Sequence, residues 1–146
     1  PNYGLAQQIE DPWAYGCVTI SGPENEAARA WYRQNDMPVF AYSSLARGLF
    51  SGRITPENYE ARKDLLDEAC RRAYCYEPNF ERLGRAIELA DEKGCTVPQI
   101  VLAFLLHSRL NVFPLVGAAS GDEFAENLQA FDVALTPEEC AWLDLE

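Results

Sequence analysis

Two short apolar runs interrupt the mixed apolar and polar pattern of the chain. They cover residues 38–43 and 112–116 and are rich in β-forming side chains. Continuous apolar runs of this length, bounded by turn residues, are typical of strands buried on both faces. Pro114 lacks the N–H that a central strand donates, so we expect the second strand to be short or bent.

Apolar residues recur at helical spacing over most of the remaining chain. We predict helices over residues 23–35, 55 to about 75, 79–93, 97–109, 120 to about 131, and 136–142. Their starts carry capping residues, namely Thr55, Thr96, Ser120 and Thr136, and Gly94 marks a helix end. Residues 1–22 are predicted to be loop, with a β-like run at 17–20.

The order strand, helices, strand, helix indicates an α/β fold. Crossovers this long and helical make the two strands parallel if they share a sheet. Parallel strands need neighbours on both sides, and so short a sheet has bare edges that invite pairing. We therefore expect the chain to be part of a larger sheet, completed by missing sequence or by a second copy. The sequence begins with Pro1 and not with an initiator methionine, so we expect this position to be a cut boundary.

Composition excludes several classes of function. The 146 residues carry a net charge of −11, which disfavours nucleic acid and anionic membranes as partners. No apolar run reaches the length of a membrane span, and no signal peptide opens the chain. The five scattered cysteines and the single histidine, His107, do not have the spacing of a metal site. Reduced thiols in a cytoplasm are the simplest expectation.

Two motifs carry a resemblance to a known family. Residues 38–48, PVFAYSSLARG, are similar to the aldo-keto reductase pattern of a strand running into Tyr-Ser-Pro-Leu-Gly-x-Gly. Residues 112–127, VFPLVGAASGDEFAEN, resemble that family's Pro-x-x-Gly-Ala-Ser-Ser turn and the helix ending in Glu-Asn. Residues 128–143 resemble the continuation into a final helix. The chain departs from the family at Ser44, where proline is usual, and at Ala46, where glycine is usual.

The resemblance implies a partial (β/α)8 TIM barrel. A complete barrel needs about 250 residues, so residues 1–146 are expected to be its C-terminal half, about strands six to eight with their helices. Residues 1–22 form the loop-rich entry segment of this half, and the stretch at 3–5 resembles the one after the sixth strand. The cofactor loops are then expected after strands seven and eight.

The resemblance also assigns the first cofactor loop. Tyr42 is expected to stack on a nicotinamide, while Ser43, Leu45 and Arg47 lie on the loop around the pyrophosphate. The alternatives are a core tyrosine with its hydroxyl bonded elsewhere, and an ordinary loop between a strand and a helix. Ala46 puts the loop in doubt if the family's glycine adopts a positive φ.

The second loop is expected to hold the adenosine end. Gly117, Ala118 and the following helix start form a natural anion site. Glu126 and Asn127 match the pair that bonds adenine, although Glu126 alone would also suit a solvated helix face. Glu123 stands near the expected 2′-phosphate, where a carboxylate would favour NADH over NADPH. The competing interpretation is that Glu123 only completes the cap with Ser120.

The family's catalytic Asp, Tyr, Lys and His are expected to precede Pro1, so no catalytic residue is assigned here, and Lys63 and His107 are not stand-ins. The resemblance implies the cofactor-binding segment of an NADP- or NAD-dependent oxidoreductase that reduces a small carbonyl substrate, inactive by itself. The alternative is a non-catalytic nucleotide-binding or regulatory module. Trp13 and residues 8–21 mark either an interface or a loop packed on the barrel.

Overall fold

A computed structural model describes residues 1–13 and 15–146 of the chain. Its two strands are β1 (Val39–Ala41) and β2 (Val112–Pro114). Its α-helices are α1 (Glu26–Gln34), α2 (Tyr59–Arg62), α3 (Glu68–Tyr74), α4 (Glu77–Lys93), α5 (Val97–Leu106), α6 (Gly121–Leu128) and α7 (Pro137–Leu143). Short 3₁₀ turns cover Pro23–Asn25, Ala46–Gly48, Lys63–Leu65 and Gln129–Asp132. The chain is thus α/β, mostly helical with a small parallel sheet.

The two predicted strands pair in parallel, as the crossover argument requires. Val39 lies opposite Val112, and Phe40 opposite Phe113. Both strands are shorter than their apolar runs. Strand β2 ends at Pro114, which has no N–H to donate. Leu115 nevertheless donates its N–H to the carbonyl of Ala41 at 2.9 Å, so the chains stay side by side beyond the strands.

One edge of the sheet is covered, contrary to the expectation of two bare edges. Asn2 forms parallel bridges with both Tyr42 and Thr19. The predicted β-like run at 17–20 is therefore a single bridge and not a strand of the sheet. Within residues 1–13 and 15–146, no strand pairs with the other edge of β2.

The hydrophobic core lies between one face of the sheet and the helices. Val39 and Ala41 point into it and are fully buried. Helix α5 is apolar on most of its circumference and packs against α4, α6 and β2. Helix α4 also packs against α7, so the C-terminal helix closes the core from outside.

The opposite face of the sheet is exposed. The rings of Phe40 and Phe113 stack with centroids 5.2 Å apart and are 58% and 47% exposed. Because large aromatic side chains are normally buried, this exposed face is unusually apolar for a protein surface.

The prediction of one helix over residues 55–75 was wrong. Helices α2 and α3 are separated by the turn Lys63–Leu65, and α3 has its own N-cap, Asp67, whose carboxylate accepts the N–H of Cys70 at 2.7 Å. Thr55 caps only a local turn, in which its hydroxyl accepts the N–H of Asn58 at 3.2 Å.

Other predicted boundaries agree within a few residues. Gly94 ends α4 in the left-handed conformation, with φ of 65°. Helix α7 begins with a capping box between Thr136 and Glu139. Helix α5 ends at Leu106, before the predicted residue 109, and α6 passes into the turn Gln129–Asp132. The turn of the second motif lies slightly later than Gly117 and Ala118, because the chain bends at Ala119 and Ser120.

Candidate cofactor site

The segments that follow β1 and β2 lie side by side and enclose a cavity of about 910 Å³. Seven of the nine predicted site residues line it: Ser43, Leu45, Arg47, Gly117, Glu123, Glu126 and Asn127. Tyr42 and Ala118 are adjacent in sequence but do not line it. Two loops separated by about half the chain therefore share one cavity.

The loop after β1 has an unusual backbone. Ser43, Ala46 and Arg47 all have positive φ, at 53°, 49° and 53°. Left-handed backbone costs a residue other than glycine about 1 kcal/mol, and such strain concentrates at functional sites. Ala46 therefore adopts a positive φ that a glycine would tolerate more easily, at a cost in backbone strain.

Bonds within and beneath the loop hold this strained conformation. The hydroxyl of Ser44 donates to the carbonyl of Ala41 at 2.9 Å, and the thiol of Cys70 donates to the carbonyl of Ala46 at 3.2 Å. The Ser44 and Ala46 side chains are buried. Serine thus replaces the family's proline with a side chain that closes the turn by a hydrogen bond.

Arg47 is the charged group of this loop and is held by two partners. Its Nε donates to Oδ1 of Asp67 at 3.3 Å, and its Nη2 pairs with Oδ2 of the same carboxylate. The bond from Arg47 lowers the pKa of Asp67, and the N–H of Cys70 lowers it further. The guanidinium also lies 4.9 Å from the centre of the Trp13 ring. These contacts fix the position of a positive charge beside the cavity.

Arg53 is a second cation in the cavity wall, and we did not predict it. It follows the glycine of Ser51-Gly52-Arg53, just beyond the matched motif. Its signal in the sequence was only a basic residue a few positions after a glycine-rich loop. Together with Arg47, it gives the β1 side of the cavity its positive charge.

The β2 side is acidic and begins at the start of α6. The hydroxyl of Ser120 accepts the N–H of Glu123 at 3.1 Å, which is the predicted cap. The Glu123 carboxylate bonds the N–H of Ala119 at 2.8 Å rather than that of Ser120. Asp122 and Glu126 also line the cavity. The charges are thus separated, with cations near β1 and carboxylates along α6.

Asn127 is the buried polar residue of this wall. It is 6% exposed, and its Nδ2 has no hydrogen-bond partner within residues 1–13 and 15–146. Buried amide groups are nearly always bonded, so an unpaired one in a cavity wall is suited to a ligand. The neighbouring carbonyl of Glu126 accepts Nε2 of Gln99 at 2.9 Å, which ties α6 to α5.

Tyr42 is held by the segment of residues 8–13 and 15–18, which we call the strap. Its hydroxyl donates to the carbonyl of Val18 at 3.0 Å and lies 3.3 Å from Oε1 of Gln8. Burial raises the pKa of this half-buried tyrosine. Its ring lies 5.2 Å from that of Trp13, tilted by 52°. The hydroxyl is thus bonded within the protein, as the alternative interpretation required, while the ring is not fully buried.

The remaining reactive groups have structural partners. Lys63 pairs with Glu60 at 2.7 Å. His107 accepts the N–H of Leu135 at 3.4 Å, and its Nδ1 lies 2.9 Å from the carbonyl of Ala103. Neither residue lines the cavity. All five cysteines are free thiols.

The residues that the structure describes contain neither a metal site nor a membrane-spanning helix. No group of three or more His, Cys, Asp and Glu side chains there could hold a metal ion. Every helix in that part of the chain is too short or too polar to cross a membrane.

The sequence comparison decides the family. The model of the Aldo/keto reductase family matches residues 22–145. The chain belongs to this family. It is also similar to versiconal hemiacetal acetate reductase from Aspergillus parasiticus, with 34% identity over 104 residues. That match covers 71% of this chain but only 29% of the relative's length.

The family match includes the cavity loops after β1 and β2 and begins before α1. Residues 1–21, which contain Asn2 and the strap, lie outside it.

Proposed function

We propose that the chain is the cofactor-binding segment of an NAD(P)H-dependent oxidoreductase that reduces aldehydes or ketones to alcohols. The observation that carries this proposal is the single cavity formed by the two motif loops. The catalytic Asp, Tyr, Lys and His of the family have no counterpart here, so they lie outside this chain. The segment alone has no carbonyl reductase activity.

The residues around the cavity fit a dinucleotide. Its volume of about 910 Å³ is at the upper end of ordinary ligand pockets. Arg47 and Arg53 suit the negative pyrophosphate, because guanidinium groups form charge-assisted bonds with phosphate oxygens. At Gly117 a Cβ atom would meet nothing within 4 Å, so the backbone there is open to a ligand. The unpaired Nδ2 of Asn127 suits a ring nitrogen of adenine.

When bound, the cofactor supplies the hydride. The chain's own residues bind and orient it: Tyr42 faces the nicotinamide end, the loop of Ser43, Leu45 and Arg47 surrounds the pyrophosphate, and Gly117 with Ala118 approaches the adenosine. Glu126 and Asn127 bond the adenine. Ala118 stands next to Gly117 in sequence and is not in the cavity wall, so its contact with the adenosine is part of the proposal.

Glu123 favours NADH over NADPH in this proposal. Its carboxylate lines the cavity and is held by the N–H of Ala119. A fixed negative charge repels the 2′-phosphate that distinguishes NADPH. Substitution Glu123→Gln keeps the hydrogen bond and removes the charge. We expect it to improve NADPH binding several-fold without changing NADH binding, and a wild-type preference for NADPH would contradict the idea.

The exposed face of the sheet is the contact surface for the rest of a barrel. Phe40 and Phe113 cover this face, and an apolar groove of about 500 Å³ runs beside the free edge of β2. Phe124, Leu128 and Phe131 line the groove and are 49%, 48% and 71% exposed. The chain spans less than a third of the relative that it matches. We propose that the N-terminal half of the barrel covers this surface, and that a second copy does so in its absence.

Sedimentation tests this partner proposal. We expect the purified chain to self-associate and the variant Phe113→Glu to shift the equilibrium toward monomer. A stable, well-folded monomer of the wild-type chain at micromolar concentration would contradict it.

Titration with NADH and NADPH tests the cofactor site. The fluorescence of the reduced nicotinamide reports binding, and Arg47→Met should weaken the affinity for either dinucleotide about 10-fold or more, because it removes a charge-assisted phosphate contact. Arg33→Met is the matched control, since Arg33 also pairs with a carboxylate but lies on α1. Wild-type protein that binds neither dinucleotide would refute the proposed function.

A further inference from the structure

The strap is an irregular segment, yet it is anchored firmly on α3. Ile9 donates its N–H to the carbonyl of Ala73 at 3.0 Å. Arg72 donates to the carbonyl of Asp11 at 3.3 Å, and the Asp11 side chain accepts the N–H of Gly16 at 2.8 Å. Bonds on both sides of the segment keep it in place, so it is part of the wall of the molecule and not a free loop.

Trp13 is the residue that the strap places beside the cofactor site. Its ring touches Tyr42, with centroids 5.2 Å apart, and lies under the guanidinium of Arg47 at 4.9 Å. About half of its surface, 54%, is nevertheless exposed. An anchored, half-exposed tryptophan between two site residues has an aromatic face available to a ligand.

The order of these three side chains matches the order of groups in a dinucleotide. Tyr42 is at the nicotinamide end of the proposed site, and Arg47 is at the pyrophosphate. The nicotinamide riboside joins these two groups, so a residue that contacts both side chains lies next to it. Trp13 is thus a third side chain at this point, beside Tyr42 and Arg47, and it comes from a segment outside the family match.

We propose that Trp13 is a further cofactor-binding residue, whose indole contacts the nicotinamide riboside between Tyr42 and Arg47. This inference rests on the function proposed above. The class of ligand is a pyridine dinucleotide, in which a flat nicotinamide ring is carried through a ribose on the pyrophosphate. Stacking of such a ring on an aromatic side chain strengthens binding without requiring a particular pattern of hydrogen bonds.

Binding of two ligands to Trp13→Ala tests the proposal. NADH contains the nicotinamide, whereas ADP-ribose has the same adenosine and pyrophosphate without it. We expect the substitution to weaken NADH binding about 10-fold, which is the effect of losing one stacking partner. The affinity for ADP-ribose should change less than about 2-fold, because Asp67 still holds Arg47 in place. Trp13→Phe should restore most of the NADH affinity.

Trp31→Ala is the matched control. Trp31 is 51% exposed, close to the exposure of Trp13, but it lies on α1 and packs edge-on against Tyr32. Isothermal titration calorimetry gives the affinities, and circular dichroism of each variant checks that it is folded.

The possible outcomes separate the two proposals. If the wild type binds neither ligand, the cofactor site itself is refuted and this inference with it. If the wild type binds and Trp13→Ala binds NADH equally well or more tightly, only the role of Trp13 is refuted. Equal weakening of NADH binding and ADP-ribose binding would also refute the role of Trp13, since Trp13 would then only support Arg47.

Discussion

Asp67 offers the sharpest test of the local energetics, because one carboxylate makes two separable contacts. Its Oδ1 accepts the N–H of Cys70 at 2.7 Å and caps α3, while the same group pairs with Arg47. Asp67→Asn keeps an acceptor at the cap and removes the charge, whereas Asp67→Ala removes both contacts.

The structure sets the expected sizes. Loss of an N-cap costs about 1 kcal/mol of unfolding free energy. The ion pair contributes less than about 1 kcal/mol, because the Asp67 side chain is 52% exposed and solvent screens the pair. We therefore expect Asp67→Asn to lower the unfolding free energy by about 0.5 kcal/mol, and Asp67→Ala by about 1.5 kcal/mol, in urea denaturation at pH 7.

The pH dependence of the same variants gives an independent check. The pKa of Asp67 is lowered in the folded protein, first by Arg47. The folded state therefore gains stability above the unfolded pKa of about 4 and loses it as the pH falls through the lower folded value. We expect the gap between wild type and Asp67→Asn to close below that range. Equal damage by Asn and Ala at pH 7, or a gap that persists at pH 2, would refute this assignment.

Three further predictions concern stability. Asp144→Ala should lower the unfolding free energy by about 3 kcal/mol in urea, because it leaves the buried guanidinium of Arg82 without its partner at 3.1 Å; a loss below about 1 kcal/mol would contradict this. Gly94→Ala should cost about 1 kcal/mol, seen as a lower Tm, since φ is 65° there; an unchanged Tm would contradict it. Burial raises the pKa of Tyr76 to about 12, so the unfolded state releases this proton first and stability should fall above about pH 10. The difference in tyrosinate absorbance between wild type and Tyr76→Phe isolates this titration from the other tyrosines, and a difference that titrates near pH 10 would contradict it.

Local sequence chemistry predicted the elements whose ends depend on neighbours in the chain. Gly94 ends a helix because only its own φ matters, and Thr136 with Glu139 starts one through contacts three residues apart. The two strands followed from their apolar runs, and their parallel pairing from the long helical crossover.

Long-range partners account for the main errors. The prediction of a continuous helix took no account of Asp67, whose carboxylate pairs with Arg47, 20 residues earlier, and caps a new helix. The strap has no periodicity, so its docking on α3 depends on contacts such as that of Arg72 with Asp11. Such contacts have no signature within a short window of sequence.

The candidate site shows the same division. Short motifs predicted the residues of the two loops, and the fold brings seven of the nine to one cavity. Arg53 was missed because it lies just past the motif, and the contact of Trp13 with Arg47 was missed because Trp13 comes from a separate segment. The binding roles of these residues are proposals that the titrations above test.

The central claim is that the loops after β1 and β2 form one dinucleotide site. Amide chemical shifts of the ¹⁵N-labelled chain during a titration with NADH test it most directly. We predict that the amides of Gly48 on the first loop, Gly117 on the second loop and Asn127 on α6 shift together, with one common dissociation constant. Shifts confined to one loop, or to residues away from the cavity, would contradict it.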